Sequence, residues 1–246
     1  MIPKIIHYCW FGRNPLPELA VKCIESWKRY FPDYEIKEWN EDNFNVNITT
    51  YTAEAYRAKK YAFVSDYARF WVLYNYGGLY FDTDVEVIKP MDDIISKGAF
   101  MGCELWLNKE NTPIPSIAPG LGLGVEAGNQ FYKKILNTYK DMHFTTRTGI
   151  IAETVVTIIT KLIRQHNANI DLNSISNVEG ITIYPYDYFC PILAQTGEKM
   201  FTENTRSIHH YMASWTNKAG KFTKIKNRIK YIFNQLYVTL FIKIGK

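Results

Sequence analysis

The chain has 246 residues, 47% of them apolar and 15% aromatic. That suffices for one large domain or two small ones with a sizeable core, and it excludes a disordered chain. The net charge of +5 is misleading: residues 217–246 hold eight Lys/Arg and no acid, so the first 216 carry 21 basic against 24 acidic groups. An acidic body without a recognisable nucleic-acid motif argues against a nucleic-acid partner.

The opening Met1-Ile2-Pro3-Lys4 leads directly into a strand pattern, so no secretory leader is read, and no apolar run is long enough to span a bilayer. Cys9, Cys23, Cys103 and Cys190 are scattered without a C-x-x-C pair, which argues against a zinc site or disulfide framework and fits a reducing cytoplasm.

Residues 4–10 (KIIHYCW) read as a buried first strand and 12–17 as a loop. Residues 19–31 form an amphipathic helical pattern with Leu19, Cys23, Ile24, Trp27 and Phe31 on one stripe. Pro32-Asp33 stops it, and 34–39 alternate as a second strand. This βαβ unit puts a ligand at the strands' carboxyl ends, where the flat ring of Trp10 could stack on a nucleobase. Residues 52–59 are a short helix.

The next stretch, 65–84 (SDYARFWVLYNYGGLYFDTD), carries the chemistry. Residues 60–76 lack Pro and Gly, and Phe63, Tyr67, Phe70, Trp71 and Tyr74 recur at helical spacing. Asp66 and Arg69 share a face of that helix, an acceptor for sugar hydroxyls beside a donor for phosphate or sugar oxygen. Gly77-Gly78 ends the helix where positive φ carries no steric cost. Residues 79–81 then read as a strand. Asp82 and Asp84, two apart on extended chain, point the same way. Their repulsion is relieved by a hard cation such as Mn2+ or Mg2+.

Further on, 85–88 read as a continuation of that strand and 100–106 as another. Residues 108–119, with three prolines, read as a surface loop. In 120–124 (GLGLG) the spacing is not G-x-G-x-x-G, so a dinucleotide site is rejected and close backbone approach to a ligand is expected instead. Residues 130–139 and 152–166 read as helices and 181–189 as an irregular strand. In 208–215 (IHHYMASW) only one of His209 and His210 can face the acid pair, and imidazole suits Mn2+. Residues 218–246 space apolar side chains at helical period among cations, the pattern of a helix lying on an anionic membrane surface.

The pattern S-D-x-x-R-(x)7-G-G-x-Y-x-D-x-D, with IPKIIHYCWFG at the start and the late HHYMASW, resembles the DXD-containing sugar transferases of glycosyltransferase family 32 across residues 2–216. It is more distantly similar to the glucosyltransferase domain of large bacterial toxins. The resemblance implies an α/β fold of GT-A type over 1–216, with 217–246 as a basic amphipathic tail. It implies a retaining, metal-dependent hexosyltransferase using a nucleotide diphosphate sugar, first a UDP-sugar. The acceptor would be a hydroxyl of a cell-surface glycan or lipid-linked saccharide, reached from the inner face of the cell membrane.

By the same resemblance, Asp84 and His210 ligate the cation, His210 because it stands five before Trp215, where the toxins place a metal-binding carboxylate. Asp82 contacts ribose or reaches the metal through water. Trp10 stacks on the base, Asp66 and Arg69 hold the donor's sugar, Tyr80 a phosphate, and Ser214 or Trp215 the diphosphate. Tyr8, Ser65 and Thr83 complete the donor set, and Asp82, Asp84 and Arg69 are the catalytic candidates. Thr148-Gly149-Ile150 stands where family members often have Thr-Gly-Pro, which puts a role for that loop in doubt. The competing readings are a nucleotide-sugar hydrolase or phosphotransferase with the same metal site, and a non-catalytic carbohydrate-binding protein.

Overall fold

The computed structural model describes residues 1–108, 110–145, 153–167 and 170–212. The opening βαβ unit is β1 (Ile5–Cys9), α1 (Glu18–Tyr30) and β2 (Glu35–Trp39), the strands parallel from Ile5 beside Glu35 to Cys9 beside Trp39. Helix α1 buries Ala20, Cys23, Ile24 and Trp27, most of the expected stripe. A capping box between Thr49 and Thr52 starts α2 (Thr50–Arg57). Helix α3 (Tyr61–Tyr76) follows. It ends at Gly77, whose N–H still reaches Leu73 O and whose φ of 65° then turns the chain into β3 (Gly78–Tyr80).

After β3 come β4 (Val85–Val87), α4 (Asp92–Ile95), β5 (Phe100–Leu107), β6 (Pro113–Ile117) and β7 (Leu123–Val125). Then follow α5 (Gln130–Thr138), α6 (Val155–His166), β8 (Ser176–Val178), β9 (Ile181–Tyr184), α7 (Tyr186–Phe189) and β10 (Ser207–His209). The main sheet runs β2-β1-β3-β7-β5-β9-β8, with β6 paired to β5, and mixes parallel and antiparallel neighbours. The α/β expectation holds.

Side chains alternate across this sheet into two cores. Cys9, Tyr80, Met101, Cys103 and Ile183 face the core that includes residues of α2, α3, α5 and α6. Ile6, Tyr8, Leu79, Phe100 and Tyr184 face the other, with Trp27 of α1 and Phe189 of α7. Burial on both faces is why β1 reads as a continuous apolar run rather than an alternating one.

Three expectations are corrected. Residues 85–88 do not continue the preceding strand: β4 leaves the main sheet and pairs antiparallel with β10. The proline-rich stretch 108–119 contains an edge strand, because the backbone nitrogens of 113, 115 and 117 face away from β5. Pro113 and Pro115 therefore lose no ladder bond, while Ile117 N–H is satisfied by Thr160 Oγ1 at 3.1 Å. The strand expected over 181–189 stops at Tyr184, where Pro185 opens α7. Residues 148–150 and 213–246, with Ser214, Trp215 and the basic tail, lie outside the described residues.

Candidate functional site

Arg69 is the hub of the first half of the site. Its side chain is 5% exposed. Nη2 lies 3.0 Å from Asp66 Oδ1, three residues back on α3, and 3.2 Å from Asp82 Oδ1 beyond β3. Nε donates to Ser65 O at 3.2 Å, and the guanidinium sits over the Tyr80 ring at 5.1 Å. Tyr80 OH donates to Asp82 Oδ1 at 3.0 Å. Burial pushes Asp66 up to about 7, with Asp82 adding to the rise and Arg69 opposing it. Burial raises Asp82 as well, against the pull of Arg69. For Arg69, burial is outweighed by Asp82, Tyr80 and Asp66, which hold it charged.

Gly120 is required at this point. A Cβ there would lie 2.0 Å from Asp82 Oδ2, and its carbonyl accepts Asp82 N–H at 3.0 Å. The small residues of 120–124 thus allow close approach to the protein's own carboxylate, where the sequence suggested a ligand. The route by which Asp82 and Asp84 converge also differs from expectation. Thr83-Asp84 form a turn, closed by Val85 N–H on Asp82 O at 3.0 Å, so extended-chain parity is not what aligns them.

The second half comes from β4 and β10. Trp27 Nε1 donates to Val85 O at 2.8 Å and Ser26 Oγ accepts Val87 N–H at 2.9 Å, fixing β4 on α1. The antiparallel register sets His209 opposite Val85 and Ile208 opposite Glu86. His209 therefore points inward, with Nε2 3.2 Å from Asp84 Oδ1. His210 belongs to the other face: its Nε2 lies 2.8 Å from Glu86 Oε2, and only its backbone N–H reaches Asp84, at the carbonyl (2.9 Å). The expectation of His210 beside the acids is corrected to His209, because strand parity overrides spacing to Trp215. Burial disfavours a charged His209, but Asp84 outweighs it and raises the ring's pKa well above the usual imidazole value.

Asp82, Asp84 and His209 each offer one ligand atom, all within 4.8 Å of one another. Two carboxylates and an imidazole fit Mn2+ or Mg2+ better than a soft ion. Asp84 and Thr83 are buried.

The remaining sequence candidates are placed as follows. Trp10 lies at the carboxyl end of β1, its indole N–H on Asn14 O (2.6 Å), beside a recess of about 290 Å3 that Arg13, Glu38 and Glu41 also line. Asp66, Asp82 and Asp84 do not line that recess. Tyr8 is on the α1 face, its hydroxyl donating to Glu38 Oε2 at 2.7 Å. Ser65 spends its hydroxyl on Tyr61 O, one helical turn back (3.3 Å).

Sequence reasoning missed three neighbours of His209. Glu104 of β5 is 4% exposed and accepts from Tyr211 OH at 3.2 Å. That hydroxyl is 2.9 Å from the Cys190 thiol. Burial raises Glu104, opposed by Trp106, His209 and Tyr211. The available signal was an acid within an otherwise apolar strand, FMGCELW.

Residues 17–101 match the family described as the glycosyltransferase sugar-binding region containing a DXD motif, which bears out the resemblance over that part of the chain. The chain is 31% identical over 111 residues to inositol phosphoceramide mannosyltransferase 1 of Schizosaccharomyces pombe, covering 41% of this chain and 33% of that one. Against inositol phosphoceramide mannosyltransferase 3 of the same yeast it is 32% identical over 108 residues, covering 41% and 29%. The chain thus spans about a third of the length of these relatives. Among solved structures, the PaToxG glycosyltransferase aligns at a TM-score of 0.49 and 19% identity, over 70% of this chain and 72% of the other. Among the described residues no helix is long and apolar enough to cross a membrane.

Proposed function

We propose that this chain, which carries the DXD-containing sugar-binding region of glycosyltransferases at 17–101, is a metal-dependent retaining hexosyltransferase. It moves a sugar from a nucleotide diphosphate donor to a hydroxyl of a glycan or lipid-linked saccharide. The observation that supports this reading best is the convergence of Asp82, Asp84 and His209 within 4.8 Å, beside the Asp66–Arg69 pair.

Asp82, Asp84 and His209 would hold the divalent ion, which when bound would neutralise charge developing on the departing diphosphate. Arg69, locked between Asp66 and Asp82, presents a fixed positive charge that needs no reorganisation when negative charge builds up nearby. Asp66 shares Arg69 with Asp82 and so fixes the strand acid relative to the helix. Trp10 would take the nucleobase on its ring face at the carboxyl end of β1. The names of the yeast relatives add mannose to the donors worth testing besides UDP-sugars.

The test is a thermal-shift screen of nucleotide sugars with Mn2+, followed by turnover with and without saccharide acceptor. The expected result is acceptor-dependent sugar transfer that falls about 1,000-fold or more in Asp84→Asn while the fold persists. Turnover near wild type in that variant would remove the metal role. Donor cleavage indifferent to acceptor would make the protein a hydrolase or phosphotransferase.

A further inference from the structure

We propose that Tyr211, anchored by Glu104, is the positioning residue that sets the His209 ring for a cation held with Asp82 and Asp84. The inference rests on the metal reading given above and adds how the third ligand is kept in place.

His209 Nε2 faces Asp84, but its other ring nitrogen, Nδ1, is buried and without a hydrogen-bond partner among the described residues. A metal-ligating imidazole is ordinarily oriented through that second nitrogen by a carboxylate, carbonyl or water. Here the imidazole packs against a tilted ring, with the Cys190 thiol also acting on it: the Tyr211 and His209 centroids are 4.2 Å apart at an interplanar angle of 54°. Tyr211 is itself fixed at its far end. Its hydroxyl donates to Glu104 Oε2 at 3.2 Å and lies 2.9 Å from Cys190 Sγ, so β5 and the end of α7 both hold it.

Two costs show that this arrangement is maintained against resistance. Tyr211 has φ 49°, a left-handed conformation that costs a non-glycine residue on the order of 1 kcal/mol. Glu104 is 4% exposed, and a buried carboxyl needs partners to persist in an apolar strand. Both costs are met by one set of contacts that ends on His209. The left-handed turn at Tyr211 is what returns the phenol ring against a residue only two positions earlier.

The experiment uses the full chain with Mn2+ alone as the probe. Calorimetric titration gives the Mn2+ affinity, and nitrogen-15 spectra of the metal-free protein report the order of the His209 imidazole. Tyr211→Ala is expected to weaken Mn2+ binding about 10- to 100-fold and to broaden or double the His209 signals. Glu104→Leu, which leaves the tyrosine hydroxyl without its acceptor, is expected to move both readouts the same way. Glu104→Gln keeps an oxygen acceptor and is expected to restore them. The Leu and Gln pair decides the matter if Tyr211→Ala does not fold. Wild-type Mn2+ affinity together with a single sharp His209 signal in Tyr211→Ala, or in Glu104→Leu, overturns the proposal. A wild-type chain that binds no Mn2+ removes the metal reading instead, and the metal-free spectra still decide whether Tyr211 orders the ring.

Discussion

The two halves of the site solve the same electrostatic problem differently. On α3 and β3, the carboxylates of Asp66 and Asp82 share one buried guanidinium, whose countercharge is permanent and supplied by the chain. At β4 and β10, Asp84 faces His209, an imidazole that can release its proton to solvent when a metal ion takes its place. The first half is a structural clamp that also presents charge. The second is an exchangeable position. A cation belongs where the protein's own neutralising group can be displaced, and Arg69 cannot be displaced without leaving two acids uncompensated.

That contrast breaks most readily at Arg69. Replacing it with Met keeps the length of the stem but strands Asp66 and Asp82 in a site where burial already pushes both upward. Breaking a buried ion pair from one side costs about 3–5 kcal/mol. Arg69→Met should therefore lower the urea midpoint strongly, whereas Asp84→Asn should lower it less because its partner His209 can lose its charge. Equal midpoints for the two variants would mean that the halves do not differ in kind.

A second probe lies just beneath the clamp. His7 of β1 is fully buried, with Nδ1 accepting from Trp39 Nε1 at 3.0 Å and Nε2–H donating to Gly77 O at 2.9 Å. It ties β2 to the end of α3 as a neutral ring, with no room for a second proton. Burial lowers its pKa from 6.5 to about 4, partly offset by Gly77 O. The folded value is below the unfolded one, so this stabilisation is present above pH 6.5 and is lost as pH falls toward 4. At 1.36 kcal/mol per unit the loss reaches about 3 kcal/mol. Urea unfolding at pH 7 and pH 4 should show a smaller acid loss in His7→Gln than in wild type by about that amount. Parallel pH dependence would assign the acid sensitivity to other groups.

The same division governs how much of the molecule could be read from its sequence. The Asp66–Arg69 pair was legible because it is local, three apart on one helix, and Gly77-Gly78 marks where α3 must end; that Arg69 also takes Asp82 was not read, because that contact is tertiary. The exchangeable half was legible only as residue types. His209 reaches Asp84 through a pairing across more than 120 residues, and its inward direction is fixed by the β4–β10 register, which the run I-H-H-Y does not encode. The edge strand β6 was obscured by its prolines, since the side on which their nitrogens fall depends on that pairing. Glu104 and Tyr211 were visible only as an unusual acid in an apolar strand and one more aromatic residue, because what joins them is tertiary.

The smallest expected effect sharpens the contrast where sequence and structure part. His210 and Glu86 form a partly exposed pair on the outer face of β4–β10, at 2.8 Å. Such pairs contribute about 0–1 kcal/mol. The contact that His210 makes with the acid half is its backbone N–H to Asp84 O, which an alanine retains. His210→Ala should therefore bind Mn2+ within about twofold of wild type and melt within a few degrees of it, whereas His209→Ala removes one of three donor groups and should lose most of that affinity. Calorimetric titration of the two variants side by side is decisive, because they differ by one residue in the chain and by a whole face of the strand. Loss of Mn2+ binding in His210→Ala with retention in His209→Ala would reverse the assignment of the third ligand and, with it, the division between the two halves.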